Sequence, residues 1–361
     1  MDATGLHEVR CRFLLAKIAQ FPPAGNDTME RLEELEQWLA GHYRTGSFRL
    51  TPASADASFR RYFRVHLAEG PTPSVIAMDA PPEHEDCRPF THVAALLERA
   101  GLNAPRVLAQ DLERGFLLLT DLGSTTYLAA LDAGNADGLF ADAIDALVRW
   151  QLASRAGELP PYDAALLRRE LDLFPDWYIA RHLGVALADP QRQALESAFR
   201  LILASNLAQP RVYVHRDYMP RNLMVSDPNP GILDFQDAVF GPISYDVASL
   251  FRDAFVSWPE EQVLDWTIRY WEKARRAGLP VDNDFGAFYR DLEWMGLQRH
   301  LKVLGIFARL QYRDQKPEYL GDTPRFLGYV RAVCERYAPL AQLARLLDEL
   351  EGRKPEVRYT F

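Results

Sequence analysis

The stretch "VHRDYMPRNLM" (residues 214–224) sets a histidine, an arginine, an aspartate and an asparagine directly after the apolar run "RVYV" (211–214). Polar side chains at the end of a short apolar strand serve either chemistry or a cap. The following residues, "LMVSDPNPGILDF" (223–235), have the pattern of a hairpin with a proline-rich turn. We expect this hairpin to bring Asp234 back beside Asn222.

Asn222 and Asp234 offer the amide and carboxylate oxygens that a hard cation such as Mg²⁺ prefers. Asp217 lies earlier in the same stretch and is left to meet a substrate hydroxyl. This is the layout of a phosphoryl-transfer site, where one carboxylate orients the attacking hydroxyl and two further side chains hold the metal on the nucleotide phosphates. A lone aspartate more often caps a turn, but the joint pattern H-x-D-x₄-N followed by L-D-F favours chemistry.

The composition is typical of a soluble globular protein, with 48% hydrophobic and 25% charged residues in a chain of 361. The formal net charge is −9 and there is no basic block, so we expect no nucleic-acid partner. The three cysteines show no CxxC spacing, which argues against zinc and for a reducing compartment. No apolar run approaches the roughly 18 residues of a membrane span. The N-terminus lacks a signal-peptide cleavage pattern, and we expect a cytoplasmic protein.

The chain changes character near residue 120. Before it, short β-like runs such as "FRRYFRVHL" and "SVIAMDA", with the helical pattern "PFTHVAALLERAGL", predict a small antiparallel sheet with a helix against it. After it, helical periodicity dominates, as in "LFADAIDALVRWQLAS". We predict an α+β fold with an N-terminal extension (1–29), a β-rich N-lobe (30–120) and a mainly helical C-lobe (121–361).

"HRDYMPRN" and "LDFQDAVFGPISYDVASL" resemble the aminoglycoside phosphotransferase and choline-kinase-like superfamily, which shares a bilobal fold with protein kinases. Within it, "ASFRRYFRV", "VIAMDAPPEHEDCRPF", "DLERGFLLLTDLG" and "LLRRELDLFPDWYIARHLG" are similar to the anomeric N-acetylmuramate/N-acetylglucosamine kinases of cell-wall recycling. The resemblance implies a protein-kinase-like fold, ATP and Mg²⁺ as cofactors, and an amino-sugar acceptor phosphorylated to its 1-phosphate.

The resemblance also implies roles for individual residues. Asp217 corresponds to the catalytic base, and Asn222 and Asp234 correspond to the Mg²⁺ ligands. His215 and Asp246 correspond to residues that support the catalytic loop rather than take part in the chemistry.

On the nucleotide side, the resemblance implies a hinge whose backbone groups meet the adenine edge. The hinge residues are Thr120, Asp121 and Leu122. Kinases of this fold usually have a lysine on the third strand that touches the phosphates, but this chain has Met78 at the corresponding position. Another group must neutralise the phosphates. The basic candidates are Arg60, Arg61 and Arg64, and the turn that ends at Ser58 could supply backbone N–H groups.

The acceptor site is expected on the helices beside the catalytic loop, because amino sugars are recognised by hydrogen bonds and an aromatic face. The candidates on these helices are Glu170, Asp176, Tyr178 and Arg181, and two further candidates, Arg221 and Asp237, lie next to the predicted metal ligands. For Tyr178, burial in the core is the competing interpretation.

Two other functions stay open at this point. One is a kinase of the same fold acting on another hydroxylated acceptor, such as an aminoglycoside, choline or homoserine. The other is a catalytically inactive, nucleotide-sensing protein, which only the missing strand lysine favours. A P-loop enzyme is excluded because the chain contains no GxxxxGK[ST] motif.

Overall fold

The computed structural model describes residues 26–43, 47–54, 59–68 and 72–352. Ser58 and most of the predicted N-terminal extension lie outside the described residues. Contacts group the described chain into two compact units. Unit 1 runs to Trp150 and also includes Pro220–Asp237, and unit 2 comprises Gln151–Met219 and the chain from Ala238 onward. The lobe boundary at residue 120 stays a prediction, since these units follow contacts rather than lobes.

Unit 1 contains a five-stranded antiparallel sheet in the order β1-β2-β3-β5-β4. A separate two-stranded hairpin, β7–β8, follows a short 3₁₀ turn, Pro220–Asn222. The strands are β1 Phe48–Ser54, β2 Arg61–Leu67, β3 Ser74–Asp79, β4 Val107–Asp111, β5 Phe116–Thr120, β7 Leu223–Met224 and β8 Gly231–Ile232. The helices are α1 Asn26–Ala40, α2 Arg88–Arg99, α3 Tyr127–Ala130 and α4 Ala136–Leu152, whose last two residues are in unit 2.

The two faces of the large sheet differ because side chains alternate along each strand. One face packs against α1, whose Leu35 and Leu39 join Phe63, Val65 and other apolar side chains in a buried cluster. Fully burying each such side chain contributes about 1.5–3 kcal/mol. The other face presents the side chains of the intervening positions. These are Tyr62, Arg64, Ile76, Met78, Leu117 and Leu119.

Unit 2 is mainly helical, with one two-stranded sheet formed by β6 and β9. Its strands are β6 Arg211–Val214 and β9 Val239–Pro242. Its helices are α5 Ala164–Leu173, α6 Asp189–Ala208, α7 Tyr245–Phe251, α8 Glu260–Arg276, α9 Phe285–Tyr312, α10 Thr323–Arg336 and α11 Ala341–Leu350. Two 3₁₀ turns, Pro317–Asp322 and Ala338–Leu340, flank α10. Helix α9 packs against α5, α6, α7, α8 and α10 and is the central element of the unit.

The predicted α+β class, with an antiparallel sheet first and helices after it, is confirmed. Two helices differ from what their residues suggest. Helix α1 begins at Asn26, so Thr28, a residue type that often caps helices, lies inside it. After α5, Phe174–His182 form a π-helix instead of continuing the α-helix. Pro175 at its start has no N–H for an α-helical hydrogen bond, which accounts for the change.

Two glycines of α9 differ sharply in their surroundings. A Cβ atom at Gly305 would lie 2.3 Å from the carbonyl oxygen of Leu173, so α9 and α5 approach closely only because Gly305 lacks a side chain. A Cβ atom at Gly296 would lie 3.6 Å from Cε1 of His300, which is an ordinary contact.

We expect Gly305→Ala to lower the free energy of unfolding by about 1–3 kcal/mol, because overpacking a core costs that much. Gly296→Ala is the matched control in the same helix and should be neutral or up to about 1 kcal/mol stabilising, from helix propensity. Chemical denaturation of both variants measures the difference. Equal stabilities would show that the α5–α9 contact does not depend on the glycine.

Candidate active site

The loop after β6 is held through its backbone by a buried carboxylate. Asp246, in the first turn of α7, is 0% exposed and accepts hydrogen bonds from the backbone N–H of His215 (2.7 Å) and Arg216 (3.0 Å). Burial raises the pKa of Asp246 to about 7, although the two amides act in the opposite direction. Arg216 has φ = +75°, a left-handed conformation rare for a residue other than glycine.

His215 is also part of the loop's internal structure. It is buried, and its Nδ1 accepts a hydrogen bond from the backbone N–H of Asp217 (3.3 Å). Its ring contacts the Tyr218 ring edge-on, with centroids 5.7 Å apart. The Asp217 side chain itself is half-buried. These contacts join the imidazole of His215 to the backbone of the residue predicted to be the base.

Glu170 lies in a buried ionic cluster, which argues against the predicted role in substrate binding. The residue is 5% exposed, and its carboxylate binds Arg216 Nη2 (2.6 Å) and Lys302 Nζ (2.9 Å). It also accepts hydrogen bonds from Gln298 Nε2 (3.0 Å) and the hydroxyl of Tyr162. Burial alone would raise the pKa of Glu170, but the two cations outweigh it and lower that pKa to about 2.

The other acceptor candidates of unit 2 lie on the π-helical segment. Tyr178 is 4% exposed and stacks on Phe174, with ring centroids 5.5 Å apart and planes at 12°. This packing favours the core interpretation for Tyr178 over sugar binding. Asp176 and Arg181 are exposed on the same segment.

In unit 1, the β7–β8 hairpin brings Asn222 and Asp234 together as predicted. Asn222 Nδ2 donates to Asp234 Oδ2 (3.3 Å), and the backbone N–H of Leu233 donates to the carbonyl of Asn222 (2.9 Å). Asp234 is exposed and has φ = +62°. Gln236, which the sequence analysis missed, donates from Nε2 to Asp234 Oδ1 (2.9 Å). Its place two residues after Asp234 in "LDFQD" was the available signal.

This donor set fits a magnesium ion. An exposed carboxylate next to an amide side chain provides hard oxygen donors, and Mg²⁺ typically uses one or two protein ligands with water and phosphate oxygens for the rest. Within the described residues there is no group of three or more His, Cys, Asp or Glu side chains that could hold a metal ion. Arg221, half-buried, and Asp237, exposed, flank the pair in sequence.

Arg61, the first residue of β2, and Arg60 just before it have different partners. Arg61 faces α1, and its Nε donates to Asp79 (2.8 Å), a 0% exposed carboxylate that Arg31 of α1 also binds. Close cationic partners offset the cost of burying such a carboxylate. This placement argues against the predicted nucleotide contact of Arg61.

Arg60, by contrast, pairs with Glu85 (2.8 Å). Burial lowers the pKa of Arg60, but Tyr62, Glu85 and Asp237 outweigh it and raise that pKa. Asp237 is thus close enough to act on the Arg60 guanidinium electrostatically. The 0% exposed Met78 belongs to the sheet face opposite α1.

The predicted hinge residues differ in their remaining hydrogen-bonding capacity. The N–H of Thr120 donates to the carbonyl of Arg106 (3.0 Å), so it is already used. The carboxylate of Asp121 accepts from Arg64 Nε (2.6 Å), Ser74 Oγ (2.7 Å) and the N–H of Gly123 (2.9 Å). Arg64 is thus held by the side chain of Asp121. Leu122 is half-buried.

Comparison with known proteins gives consistent matches. The model of the phosphotransferase enzyme family matches residues 49–280. A Pseudomonas aeruginosa protein named N-acetylmuramate/N-acetylglucosamine kinase is 58% identical over 301 residues, covering 83% of this chain and 88% of that protein. A Pseudomonas putida protein of the same name is 54% identical over 334 residues, covering 89% and 97%.

Solved structures support the fold. An ethanolamine kinase from Plasmodium vivax superimposes with a TM-score of 0.62, covering 90% of this chain and 94% of that one, at 10% sequence identity. At this identity the likeness shows a shared fold and nothing about the substrate. No helix in the described ranges is both long and apolar enough to span a membrane.

The ionised form of Glu170 should stabilise the folded protein in a pH-dependent way. Its folded pKa of about 2 lies below the ordinary value of 4.5, so the stabilisation is complete above about pH 4.5 and is lost as the pH falls toward 2. We expect the advantage of wild type over Glu170→Gln in unfolding free energy to shrink by on the order of 3 kcal/mol across that window.

Denaturant titrations at several pH values measure this. Glu196→Gln is the matched control, because Glu196 forms a half-exposed pair with Arg168 on neighbouring helices and should show a much smaller effect. A pH-independent difference between wild type and Glu170→Gln would contradict a depressed pKa.

Proposed function

Because the chain belongs to the phosphotransferase enzyme family, we propose that it is an ATP- and Mg²⁺-dependent kinase of amino sugars. It phosphorylates the anomeric hydroxyl of N-acetylmuramate, N-acetylglucosamine or both, giving the sugar 1-phosphate. The substrate class comes from the names of relatives that are 54% and 58% identical over most of their length. The proposed setting is peptidoglycan recycling in the cytoplasm, with small-molecule partners only.

The observation on which phosphoryl transfer rests is the pairing of Asn222 with Asp234 by the β7–β8 hairpin. These two side chains would hold Mg²⁺, which when bound neutralises charge on the nucleotide phosphates. Asp217 is the proposed base, on a loop whose backbone Asp246 and His215 hold by hydrogen bonds.

In the proposed reaction, the anomeric oxygen of the sugar attacks the γ-phosphorus of ATP. Its proton passes to the carboxylate of Asp217, the bond from the γ-phosphorus to the bridging oxygen breaks, and ADP leaves. An anomeric hydroxyl is more acidic than an ordinary alcohol, which suits a carboxylate base. General-base catalysis contributes about 10²–10⁴ in rate, or roughly 3–5 kcal/mol.

For the nucleotide, we propose Arg60 as the cation that replaces the strand lysine missing at Met78. Its support is its electrostatic proximity to Asp237, three residues after Asp234. The backbone around Leu122 is proposed to meet the adenine edge. Four of the predicted acceptor residues are retained as candidates, since they are not buried. They are Asp176, Arg181, Arg221 and Asp237.

We expect the wild-type protein to consume ATP with Mg²⁺ only when N-acetylmuramate or N-acetylglucosamine is present. Asp217→Ala should lower kcat by about 10²–10⁴ because it removes the base. Coupled ADP release with these sugars, choline and kanamycin is the measurement, and acid lability identifies a 1-phosphate among the products.

Asp176→Ala is a useful comparison, because it removes an exposed carboxylate from a candidate acceptor residue; it should affect the sugar KM alone. Wild-type turnover in Asp217→Ala would sink the base assignment. Acid-stable product, or turnover of choline or kanamycin instead of amino sugars, would keep a kinase but replace the substrate. ATP binding without turnover on any acceptor would favour a nucleotide sensor.

The neighbouring residues Arg60 and Arg61 provide a matched pair of variants for testing the nucleotide site. We expect Arg60→Gln to raise the KM for ATP by about tenfold or more, since a charge-assisted hydrogen bond contributes about 1.5–3 kcal/mol. Arg61→Gln should leave that KM unchanged and lower the melting temperature, because it strips a partner from buried Asp79. Initial rates over an ATP series and thermal melts distinguish the two, and the reverse pattern would exclude Arg60.

A further inference from the structure

The buried cluster around Glu170 joins three separate parts of unit 2. Glu170 is near the end of α5, Arg216 is in the loop before Asp217, and Lys302 is on α9. Gln298 lies four residues before Lys302, on the same face of α9, and donates to the same carboxylate. One carboxylate thus links the catalytic loop to two helices of the core.

The charges of this cluster do not balance through Glu170 alone. Two cations, Arg216 and Lys302, share its single negative charge. The hydroxyl of Tyr245 also accepts a hydrogen bond from Lys302 Nζ (3.1 Å), and Asp217 lies within electrostatic reach of both cations. Buried ion pairs add little net stability compared with apolar packing, and their best-attested benefit is to select one conformation.

The conformation selected here is that of the residue directly before Asp217. Asp246 holds the backbone N–H of Arg216, Glu170 holds its guanidinium, and the guanidinium lies over the ring of Tyr162, 5.7 Å from its centroid. Between these two attachments the backbone of Arg216 has φ = +75°. A residue in this sparsely populated region keeps it only when its surroundings over-determine it.

We propose that Glu170 is a positioning residue of the kinase reaction, which acts through Arg216 to set the orientation of Asp217. This inference rests on the proposed function. It assigns Glu170 to the support of the base, in place of the acceptor site. Without the carboxylate, Arg216 keeps its backbone hydrogen bond to Asp246 but loses the attachment of its guanidinium, so its left-handed conformation is less well held and the Asp217 carboxylate shifts with it. A misplacement of about 1 Å at the reacting groups costs about 10²-fold in rate.

The first test is the isosteric variant Glu170→Gln. We expect kcat to fall by about 10²-fold, per folded molecule, while the KM values for ATP and for the sugar stay within about threefold. Glu196→Gln is the control, since it makes the same chemical change in an ion pair between α5 and α6 at the surface, and it should keep wild-type kcat.

A second variant separates positioning from folding. Glu170→Gln combined with Lys302→Met removes one negative and one positive charge, so the melting temperature should recover toward wild type while kcat stays low. Recovery of kcat together with stability would show that Glu170 is merely structural and would overturn the proposal.

A double-mutant cycle with Arg216→Gln tests the route of the effect. If Glu170 acts through Arg216, the double variant should lose no more kcat than the single variant with the lower kcat. If the fold losses of the two single variants multiply in the double variant, the proposal is overturned. If the wild type is active and Glu170→Gln keeps the wild-type kcat, this inference fails but the proposed function stands. A wild type inactive on both amino sugars defeats the proposed function and this inference with it.

Discussion

The candidate catalytic loop depends on a carboxylate that is completely removed from solvent. Asp246 receives the amides of His215 and Arg216, and this pair of hydrogen bonds fixes where β6 ends and how the chain turns. Burial disfavours the charged form of a carboxylate. The pKa of Asp246 is therefore raised to about 7, even though both amides act to lower it. The left-handed backbone of Arg216 and the internal hydrogen bond of His215 follow from this turn.

Two neighbouring arginines at the start of β2 have different surroundings. Arg61 and Asp79 face α1 and form a closed ionic group with Arg31. Arg60, one residue earlier, pairs with Glu85 and lies within reach of Asp237. Adjacent positions in the sequence therefore hold one arginine that belongs to a buried ionic group and one that we propose as a phosphate contact.

Local patterns made much of this predictable. The hairpin that joins Asn222 to Asp234 and the alternation of the sheet strands depend on near neighbours, so spacing and turn residues were enough. The side of the sheet on which Arg61 lies was also predictable, because Phe63 and Val65, two and four residues later, are apolar and share its face. A charged residue in such an apolar alternation indicates a buried ion pair as well as a ligand contact. The partners of Glu170 were out of reach, since Gln298 lies 128 residues away along the chain. No periodicity reports such a contact, and an acidic side chain on a helix looks the same whether it binds a ligand or a buried arginine.

The division of the chain into units has a consequence for how the protein is made. The chain leaves unit 1 after Trp150, returns to it for Pro220–Asp237 and then leaves again. The sheet can form early in synthesis. The Asn222–Asp234 pair can form only after Asp234 has been synthesised, which follows synthesis of the first helices of unit 2. Neither unit is a continuous segment of the chain, so a fragment cut at residue 150 would contain the sheet without the hairpin. All residues of unit 1 are present once Asp237 has been synthesised, whereas unit 2 still needs the chain from Ala238 onward.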